Sequence, residues 1–319
     1  MTYKILIADK LGKDGLDRLS RMSDMSYDLR TGMSKEELLQ AVGDYDAVIV
    51  RSDTYIDADV LAAGTRLKVV GRAGIGIDNI DVPAATARGV MVMNTPHSNS
   101  VATAEQTFTL FLAASRRTVQ AHNSLAAGQW ERSRFVGTEL FDKTLGIIGF
   151  GYIGRLVARR AQAFSMKVVA YDPYVSVTVA ADLGVELLPL DEVLAAADII
   201  TLHAIVTPET KGMINAETIA TMKDGVIIVN VARGKLIDEQ ALADALKSGK
   251  VAAAGIDVYQ EEPPTNSPLI GLPNVIHTPH LGASTQEAQK NVGIEMVEQI
   301  ADALRGEAYR NVLNAMAGG

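Results

Sequence analysis

Three side chains suited to acid–base chemistry or to binding a carboxylate lie a few residues after short apolar runs of strand length: Arg233, Glu262 and His280. A histidine can accept the proton of an alcohol, and an arginine can hold a carboxylate through two hydrogen bonds. Either Glu261 or Glu262 could pair with the imidazolium and orient the ring. The pattern therefore predicts removal of a hydroxyl proton from a small substrate that also has a carboxylate. Spacing alone leaves the convergence of the three groups as a hypothesis.

A glycine-rich motif lies near the middle of the chain, with glycines at Gly149, Gly151 and Gly154. It directly follows a strand-like run and opens a helical pattern, the context in which Gly-x-Gly-x-x-Gly binds a dinucleotide. The glycines permit a tight turn, a close approach to a pyrophosphate and close packing of helix on strand. Tyr152 and Ile153 begin the helix, whose first N–H groups would face the anion.

An acidic residue, Asp172, ends the next strand-like run, roughly twenty residues further on, where such a side chain accepts a hydrogen bond from the adenosine ribose. The same carboxylate would repel a 2′-phosphate. The sequence therefore predicts NAD rather than NADP as the cofactor. The alternative is that Asp172, which precedes Pro173, only shapes a turn.

Apolar, β-branched runs alternate with helical segments along the chain, which predicts an α/β fold of two doubly wound, parallel-sheet, Rossmann-like domains. The first series of predicted strands comprises Ile5–Ala8, Ala47–Val50, Lys68–Gly71 and Val90–Met93. The second comprises Leu145–Gly149, Val168–Tyr171, Ile199–Leu202, Val226–Asn230, Ala252–Ile256 and Val275–His277.

The predicted domain organisation is discontinuous. We expect residues 98–285 to form an NAD-binding Rossmann domain, and residues 1–97 with 286–319 to form a substrate domain. The late helical pattern Ser284–Leu304 begins like a capping box, with Ser284 followed three residues later by Glu287.

Composition narrows the possible partners. The 319 residues include 30 Lys and Arg against 38 Asp and Glu, and the formal net charge of −8 disfavours nucleic acid and anionic membranes as partners. The chain has no cysteine, which excludes disulfides and Cys-ligated metals, and we expect no metal. With no signal peptide visible, we expect a cytoplasmic protein.

A long helical pattern from Asn99 to Gly128 predicts a connecting helix or arm that builds a homodimer.

Taken together, the motifs resemble the D-isomer-specific 2-hydroxyacid dehydrogenase family over nearly the whole chain. The resemblance rests on Gly149–Gly154, Asp172, Asn230–Gly234, Asp257–Pro263 and Pro279–Ala283. It implies that Arg233 binds substrate, that Glu262 supports the histidine and that His280 is the acid/base. It also implies that Asp257 holds the nicotinamide carboxamide, with further cofactor contacts at Ile75, Ala204 and Val231.

Two departures from the family pattern matter. Where relatives often have His-x-Pro in the loop over the cofactor, this chain has His203-Ala204-Ile205, so the proline's stiffness is missing there. The chain also ends soon after its last helical pattern. We therefore expect no C-terminal regulatory domain.

Three arginines define the narrower resemblance. Arg51, Arg72 and Arg132 occupy positions at which family members that oxidise D-3-phosphoglycerate gather positive charge, with Gly74 as a further substrate contact and Arg132 supplied by a partner subunit. The resemblance implies this substrate, in an NAD-dependent oxidation at C2. Alternatives are another small anionic D-2-hydroxy acid or, in a different class, a non-catalytic NAD-sensing protein. Arg51 and Arg132 could also be ordinary surface charges.

Overall fold

The computed structural model describes residues 2–314, in which the chain forms two compact units. The first unit contains the described residues of Met1–Asn99 and Ala283–Gly319, and the second is Ser100–Gly282. The ends of the predicted substrate domain, residue 1 and residues 315–319, lie outside the described residues.

Parallel strands and helices alternate in both units. The strands are β1 (Tyr3–Ile7), β2 (Met25–Leu29), β3 (Ala47–Val50), β4 (Val69–Arg72), β5 (Met91–Asn94), β6 (Thr144–Ile148), β7 (Lys167–Tyr171), β8 (Glu186–Leu187), β9 (Ile199–Leu202), β10 (Val226–Asn230), β11 (Val251–Ile256) and β12 (Val275–His277). The helices are α1 (Lys13–Ser20), α2 (Lys35–Ala41), α3 (Ala58–Ala63), α4 (Val82–Ala87), α5 (Ser100–Arg116), α6 (Thr118–Ala126), α7 (Tyr152–Ala163), α8 (Val177–Ala181), α9 (Leu190–Ala196), α10 (Ala216–Thr221), α11 (Glu239–Ser248) and α12 (Gln286–Arg305). Among residues 2–314, no helix combines the length and the apolar composition needed to cross a bilayer.

The first unit has a five-stranded parallel sheet in the order β2-β1-β3-β4-β5. Its central strands are continuous apolar runs because helices cover both faces of the sheet. On one face Ile5 and Ile49 pack with Met296 and Ile300 of α12, so the last helix completes this unit's core. β2 was not predicted from the sequence, because this edge strand alternates between polar and apolar residues and forms no apolar run.

The second unit has a seven-stranded parallel sheet in the order β12-β11-β10-β9-β6-β7-β8. The bounds of β9, β10 and β12 are those predicted. β8 was not predicted from the sequence, because an edge strand of two residues is too short to form a pattern. The strand order reverses between β6 and β9, and open parallel sheets bind ligands beside the carboxyl ends of the strands at such a reversal.

The single helical pattern predicted from Asn99 to Gly128 is wrong in one respect, because the structure divides it into α5 and α6. Arg117, between them, adopts a left-handed conformation with φ of 52°, which interrupts the helix. The two pieces also differ in burial. Phe108 and Phe111 of α5 are buried in the core of the second unit, whereas no residue of α6 is buried.

The predicted start of the last helix also needs correction. Thr285, not Ser284, is the N-cap of α12, and its hydroxyl accepts a hydrogen bond from the backbone N–H of Ala288 at 3.1 Å. The helix begins at Gln286, so Glu287 occupies its second position rather than the third that a capping box requires. Because the N-cap lies one residue later than predicted, Ser284 and Glu287 do not have the positions of a capping box.

Candidate functional site

His280 and Glu262 form a direct pair in the second unit. Nδ1 of His280 lies 2.7 Å from Oε2 of Glu262, and the other carboxylate oxygen accepts the backbone N–H of Tyr259 at 3.2 Å. The two side chains are 41% and 39% exposed, so a solute can reach the ring. The sequence left Glu261 and Glu262 as alternatives, and the geometry places Glu262 against the histidine.

The His280 backbone is held in a conformation that few non-glycine residues adopt. Its φ is 55°, in the left-handed region, which costs roughly 1–2 kcal/mol for a residue with a Cβ. Asp257 stabilises this turn. Its carbonyl accepts the N–H of His280 at 2.8 Å, and its carboxylate accepts the N–H groups of Leu281 and Gly282, both at 2.8 Å, and the Thr278 hydroxyl at 2.5 Å.

Asp257 is completely buried at the carboxyl end of β11. Its Oδ1 receives two hydrogen bonds and its Oδ2 only one, so Oδ2 retains one acceptor position. The contact that the sequence analysis predicted, to a nicotinamide carboxamide, stays a prediction. In the structure, Asp257 also stabilises the turn that contains His280.

Glu239 is a site residue that the sequence analysis missed. It is the first residue of α11 and is only 7% exposed. Its Oε1 accepts the backbone N–H of Gln260 at 2.7 Å and its Oε2 accepts the Ser267 hydroxyl at 2.5 Å, which ties the loop containing Glu262 to α11. In the sequence, an acid in the first turn of a helix is easily taken for an exposed partner of the helix dipole, so nothing marked it.

Arg233 lies just after β10, beside the strand whose loop contains Glu262. Its Nη1 donates to the carbonyl of Ala232 at 2.7 Å, and Nδ2 of Asn230 donates to the Arg233 carbonyl at 2.9 Å, which fixes the turn. Burial raises the pKa of Glu262, but the hydrogen bond and charge of His280, the Tyr259 N–H and the charge of Arg233 together outweigh it, and the pKa lies below its usual value. Glu262 is therefore ionised at neutral pH.

The glycine loop fits a dinucleotide phosphate. Gly149 has φ of 94°, and a Cβ there would lie 2.6 Å from the carbonyl carbon of His203, while a Cβ at Gly154 would overlap the Gly149 carbonyl oxygen. A Cβ at Gly151, the N-cap of α7, would meet no atom within 4 Å, so open space lies at the helix N-terminus. This combination of two closely packed glycines and one open glycine suits a pyrophosphate on the N–H groups of α7.

Asp172 connects this loop to the end of β7. Its Oδ2 accepts the backbone N–H of Phe150 at 2.8 Å and its Oδ1 accepts that of Tyr174 at 2.9 Å. The alternative raised by the sequence was that Asp172 shapes a turn, and these two contacts show that it does so. Because each carboxylate oxygen can accept a second hydrogen bond, the side chain can still receive two ribose hydroxyls.

The remaining predicted cofactor residues of the second unit lie around the same strand ends. Ala204 follows β9 next to His203, Val231 directly follows β10 and is 6% exposed, and Tyr152 and Ile153 begin α7. Nε2 of His203 lies 3.0 Å from the Thr201 hydroxyl, and burial lowers the pKa of His203 to about 3. The His203 ring is therefore neutral at physiological pH.

The predicted substrate residues of the first unit follow neighbouring strands. Arg51 comes directly after β3, and Arg72 ends β4. A Cβ at Gly74 would overlap Nη1 of Arg72, so the guanidinium lies directly against the Gly74 backbone. Ile75 accepts a hydrogen bond on its carbonyl from Nδ2 of Asn94 at 2.7 Å.

Arg132, the third predicted phosphate ligand, belongs to the second unit. It is exposed and begins a short 3₁₀ helix, Arg132–Phe135. The structure thus places two of the three arginines on the first unit and one on the second.

Asp9 is a second residue that the sequence analysis missed. It is 4% exposed and follows β1. Its Oδ2 accepts the backbone N–H groups of Arg51 at 2.5 Å and Thr54 at 3.2 Å, and its Oδ1 accepts the Thr54 hydroxyl at 2.6 Å. An acid directly after a strand, as at Asp172 and Asp257, was the available signal. In residues 2–314 no three His, Asp or Glu side chains gather in a group that could hold a metal ion.

Solved structures show the same fold. A crystal structure of a Thermus thermophilus protein matches with a TM-score of 0.90 and 35% identity, covering 98% of this chain and 100% of that one. D-lactate dehydrogenase from Aquifex aeolicus, complexed with NAD and lactic acid, matches with a TM-score of 0.86 and 28% identity, covering 95% and 96% of the two chains.

Curated relatives are more similar in sequence. D-3-phosphoglycerate dehydrogenase of Methanocaldococcus jannaschii is 51% identical over 312 residues, which are 98% of this chain but only 59% of that protein. The chain thus spans about three fifths of the length of this relative. The family model for the NAD binding domain of D-isomer specific 2-hydroxyacid dehydrogenases matches residues 108–282. Because that match covers more than half of the sequence, the chain belongs to the D-isomer specific 2-hydroxyacid dehydrogenase family.

Proposed function

We propose that the protein oxidises D-3-phosphoglycerate at C2 to 3-phosphohydroxypyruvate, with NAD as the hydride acceptor. The observation that supports this most directly is the 2.7 Å contact between His280 and Glu262, with the charge of Arg233 close enough to affect Glu262. The resemblance to D-3-phosphoglycerate dehydrogenases over 98% of the chain supports the choice of substrate.

The proposed roles follow from the chemistry of each group. Bound NAD supplies the acceptor for the hydride that leaves C2. Nε2 of His280 takes the proton of the C2 hydroxyl, and the ionised Glu262 stabilises the imidazolium that forms. Arg233 holds the substrate carboxylate through a bidentate, charge-assisted contact. Gly151, the first turn of α7 and Asp172 would hold the pyrophosphate and the adenosine ribose.

The phosphate end of the substrate is assigned to Arg51, Arg72 and Arg132. The chain has a formal net charge of −8, so a dianionic substrate needs a local group of cations to bind. Arg132 would reach the site of the partner subunit in a homodimer. An unphosphorylated hydroxy acid offers these arginines nothing to bind, which makes them determinants of specificity.

The proposed homodimer uses the region from Asn99 to Gly128 and the segment after it. No residue of α6 is buried in one copy of the chain. Large apolar side chains are exposed on α6 and beyond it, at 57% for Leu125, 76% for Trp130, 74% for Val136 and 67% for Phe141. A second copy covering these side chains would remove them from water.

A chain without cysteine also suits a reducing compartment, and we place the protein in the cytoplasm.

A steady-state assay with D-3-phosphoglycerate and NAD at alkaline pH tests the proposal. We expect turnover in the wild type and a loss of kcat of about 10²- to 10⁴-fold in His280→Ala, because a general base typically contributes that much. Binding of NAD, measured by fluorescence titration, should change little in the same variant. Wild-type protein that binds NAD but oxidises no 2-hydroxy acid would instead support an NAD-sensing protein without catalysis.

D-lactate or D-glycerate is the alternative substrate class. The similarity to a D-lactate dehydrogenase crystallised with lactic acid favours this second candidate. Comparing kcat/KM for D-3-phosphoglycerate, D-glycerate and D-lactate in one series decides between them. A higher kcat/KM for either unphosphorylated acid would overturn the proposed substrate while leaving the reaction type intact.

A further inference from the structure

A cavity of about 490 Å³ in the first unit is lined by cationic side chains but by no acidic one. It is lined by Lys10, Leu11, Gly12, Leu29, Thr31, Arg51 and Gln289. Two of these side chains are cationic and none is acidic, although the whole sequence has 38 acidic residues against 30 basic ones. The lining therefore favours a small anion.

The cavity lies at the place where this type of sheet binds ligands. In the order β2-β1-β3-β4-β5 the direction of strand addition reverses between β1 and β3. Lys10 follows β1 and Arg51 follows β3, so both cations lie beyond the carboxyl ends of the two strands that flank the reversal. Open α/β sheets bind ligands in the crevice outside the strand ends at such a switch point.

Among the described residues, the nearby carboxylate of Asp9 forms no ion pair with either cation. Its oxygens accept the backbone N–H groups of Arg51 and Thr54 and the Thr54 hydroxyl, so Asp9 fixes the loop after β3 against the end of β1. In the part of the chain that the structure describes, neither Lys10 nor Arg51 has a carboxylate within 4.0 Å of its charged group. By contrast, Lys13 on the neighbouring helix pairs with Asp17 at 2.9 Å.

From this arrangement we infer that Lys10 is a ligand of the substrate's phosphate group and a specificity-determining residue beside Arg51. The inference rests on the proposed function and extends it by a residue that the sequence analysis did not single out. The Thr31 hydroxyl and the Gln289 amide line the same cavity and can donate to further phosphate oxygens. Two cations that line one cavity and have no ion-pair partner repel each other, and a dianion between them offsets that repulsion.

The first test compares Lys10→Met with Lys13→Met, which removes the same charge from an exposed lysine outside the cavity. We expect Lys10→Met to raise KM for D-3-phosphoglycerate roughly tenfold or more, since charge-assisted contacts are about twice as strong as neutral ones. The kcat value for that substrate and kcat/KM for D-glycerate should change by less than about twofold. Lys10→Arg should restore most of the loss. A Lys10→Met enzyme with the KM of Lys13→Met would overturn the inference.

The second test measures binding of inorganic phosphate by calorimetry to the wild type, Lys10→Met and Lys13→Met. We expect Lys10→Met to bind phosphate at least several-fold more weakly than the other two proteins. Equal binding in all three contradicts a role for Lys10. If the wild type binds phosphate through Lys10 but does not oxidise D-3-phosphoglycerate, the proposed function fails and the anion site stands. If it oxidises that substrate and Lys10→Met is unaffected, the proposed function stands and the inference fails.

Discussion

Nδ1 of His280 lies 2.7 Å from Oε2 of Glu262, and this contact decides which ring nitrogen is available for chemistry. When Nδ1 donates to the carboxylate, Nε2 is the nitrogen that can accept a proton. The left-handed turn at His280, held by Asp257, fixes the ring from the backbone side. The position of the base is therefore set both by its side-chain partner and by its main chain.

Replacing Glu262 with glutamine should move the pH dependence of kcat/KM for the oxidation. The hydrogen bond and charge of His280 help to hold the pKa of Glu262 below its usual value, so by reciprocity the carboxylate favours the imidazolium. Without that anion the protonated ring is less favoured, and the ascending limb should shift toward lower pH. Rate profiles between pH 5 and 10 measure this shift.

Glu261→Gln is the matched control, because it removes the same charge one residue away and leaves the contact with His280 in place. Its profile should follow that of the wild type. An unshifted limb in Glu262→Gln, with His280 still essential, would mean that another group orients the histidine.

Replacing Asp172 tests the choice of cofactor. Asp172→Ala should weaken NAD binding about tenfold and narrow the preference for NAD over NADP, because it removes both a ribose acceptor and a charge that repels a 2′-phosphate. Asp172→Asn removes the charge but retains one oxygen, which can accept the Tyr174 N–H while the contact with the Phe150 N–H is lost. Fluorescence titrations with both cofactors measure the effect. A wild type that binds NADP as tightly as NAD would contradict the role given to Asp172.

The sequence predicted the central strands well because they are buried on both faces. Such strands are uninterrupted apolar runs, and the central strands β3, β9 and β10 have the predicted bounds. The edge strands β2 and β8 were missed, since one is alternating in polarity and the other has only two residues. The break at Arg117 was missed as well, because nothing in its residue type favours a left-handed conformation.

Within the site, residues that belong to a motif were easier to find than residues that hold the motif in place. The glycine loop and His280 have spacings that follow from their chemistry. Asp9 and Glu239 instead act through hydrogen bonds to loops that are distant in sequence, such as the one from Gln260 to Glu239, 21 residues apart. Such a partner becomes visible only when the packing of the loop is known.

His203 should make the folded protein sensitive to acid. Burial lowers its pKa in the folded state to about 3, against 6.5 for an exposed histidine. Between these values the unfolded chain binds more protons, so stability should rise with pH from about 3 to 6.5 and level off above that. The slope contributed by this group is at most about 1.4 kcal/mol per pH unit.

Thermal unfolding of His203→Asn at pH 5 and pH 7 measures this contribution. The variant should lose less Tm on acidification than the wild type does, whereas His122→Asn, at an exposed histidine of α6, should behave like the wild type. Equal losses of Tm in His203→Asn and the wild type would show that His203 is protonated in the folded protein.

The arginines proposed for the phosphate end give the most selective prediction about substrate. Charge-assisted hydrogen bonds contribute about 1.5–3 kcal/mol each, so Arg72→Ala or Arg132→Ala should raise KM for D-3-phosphoglycerate tenfold or more. D-glycerate lacks the phosphate, so its slower turnover should hardly respond. Arg134→Ala is the control, since Arg134 lies two residues from Arg132 and pairs with Glu131 at 2.8 Å. Equal losses of kcat/KM for both substrates would show that the arginines support folding or the dimer interface, and the assignment to phosphate would have to be dropped.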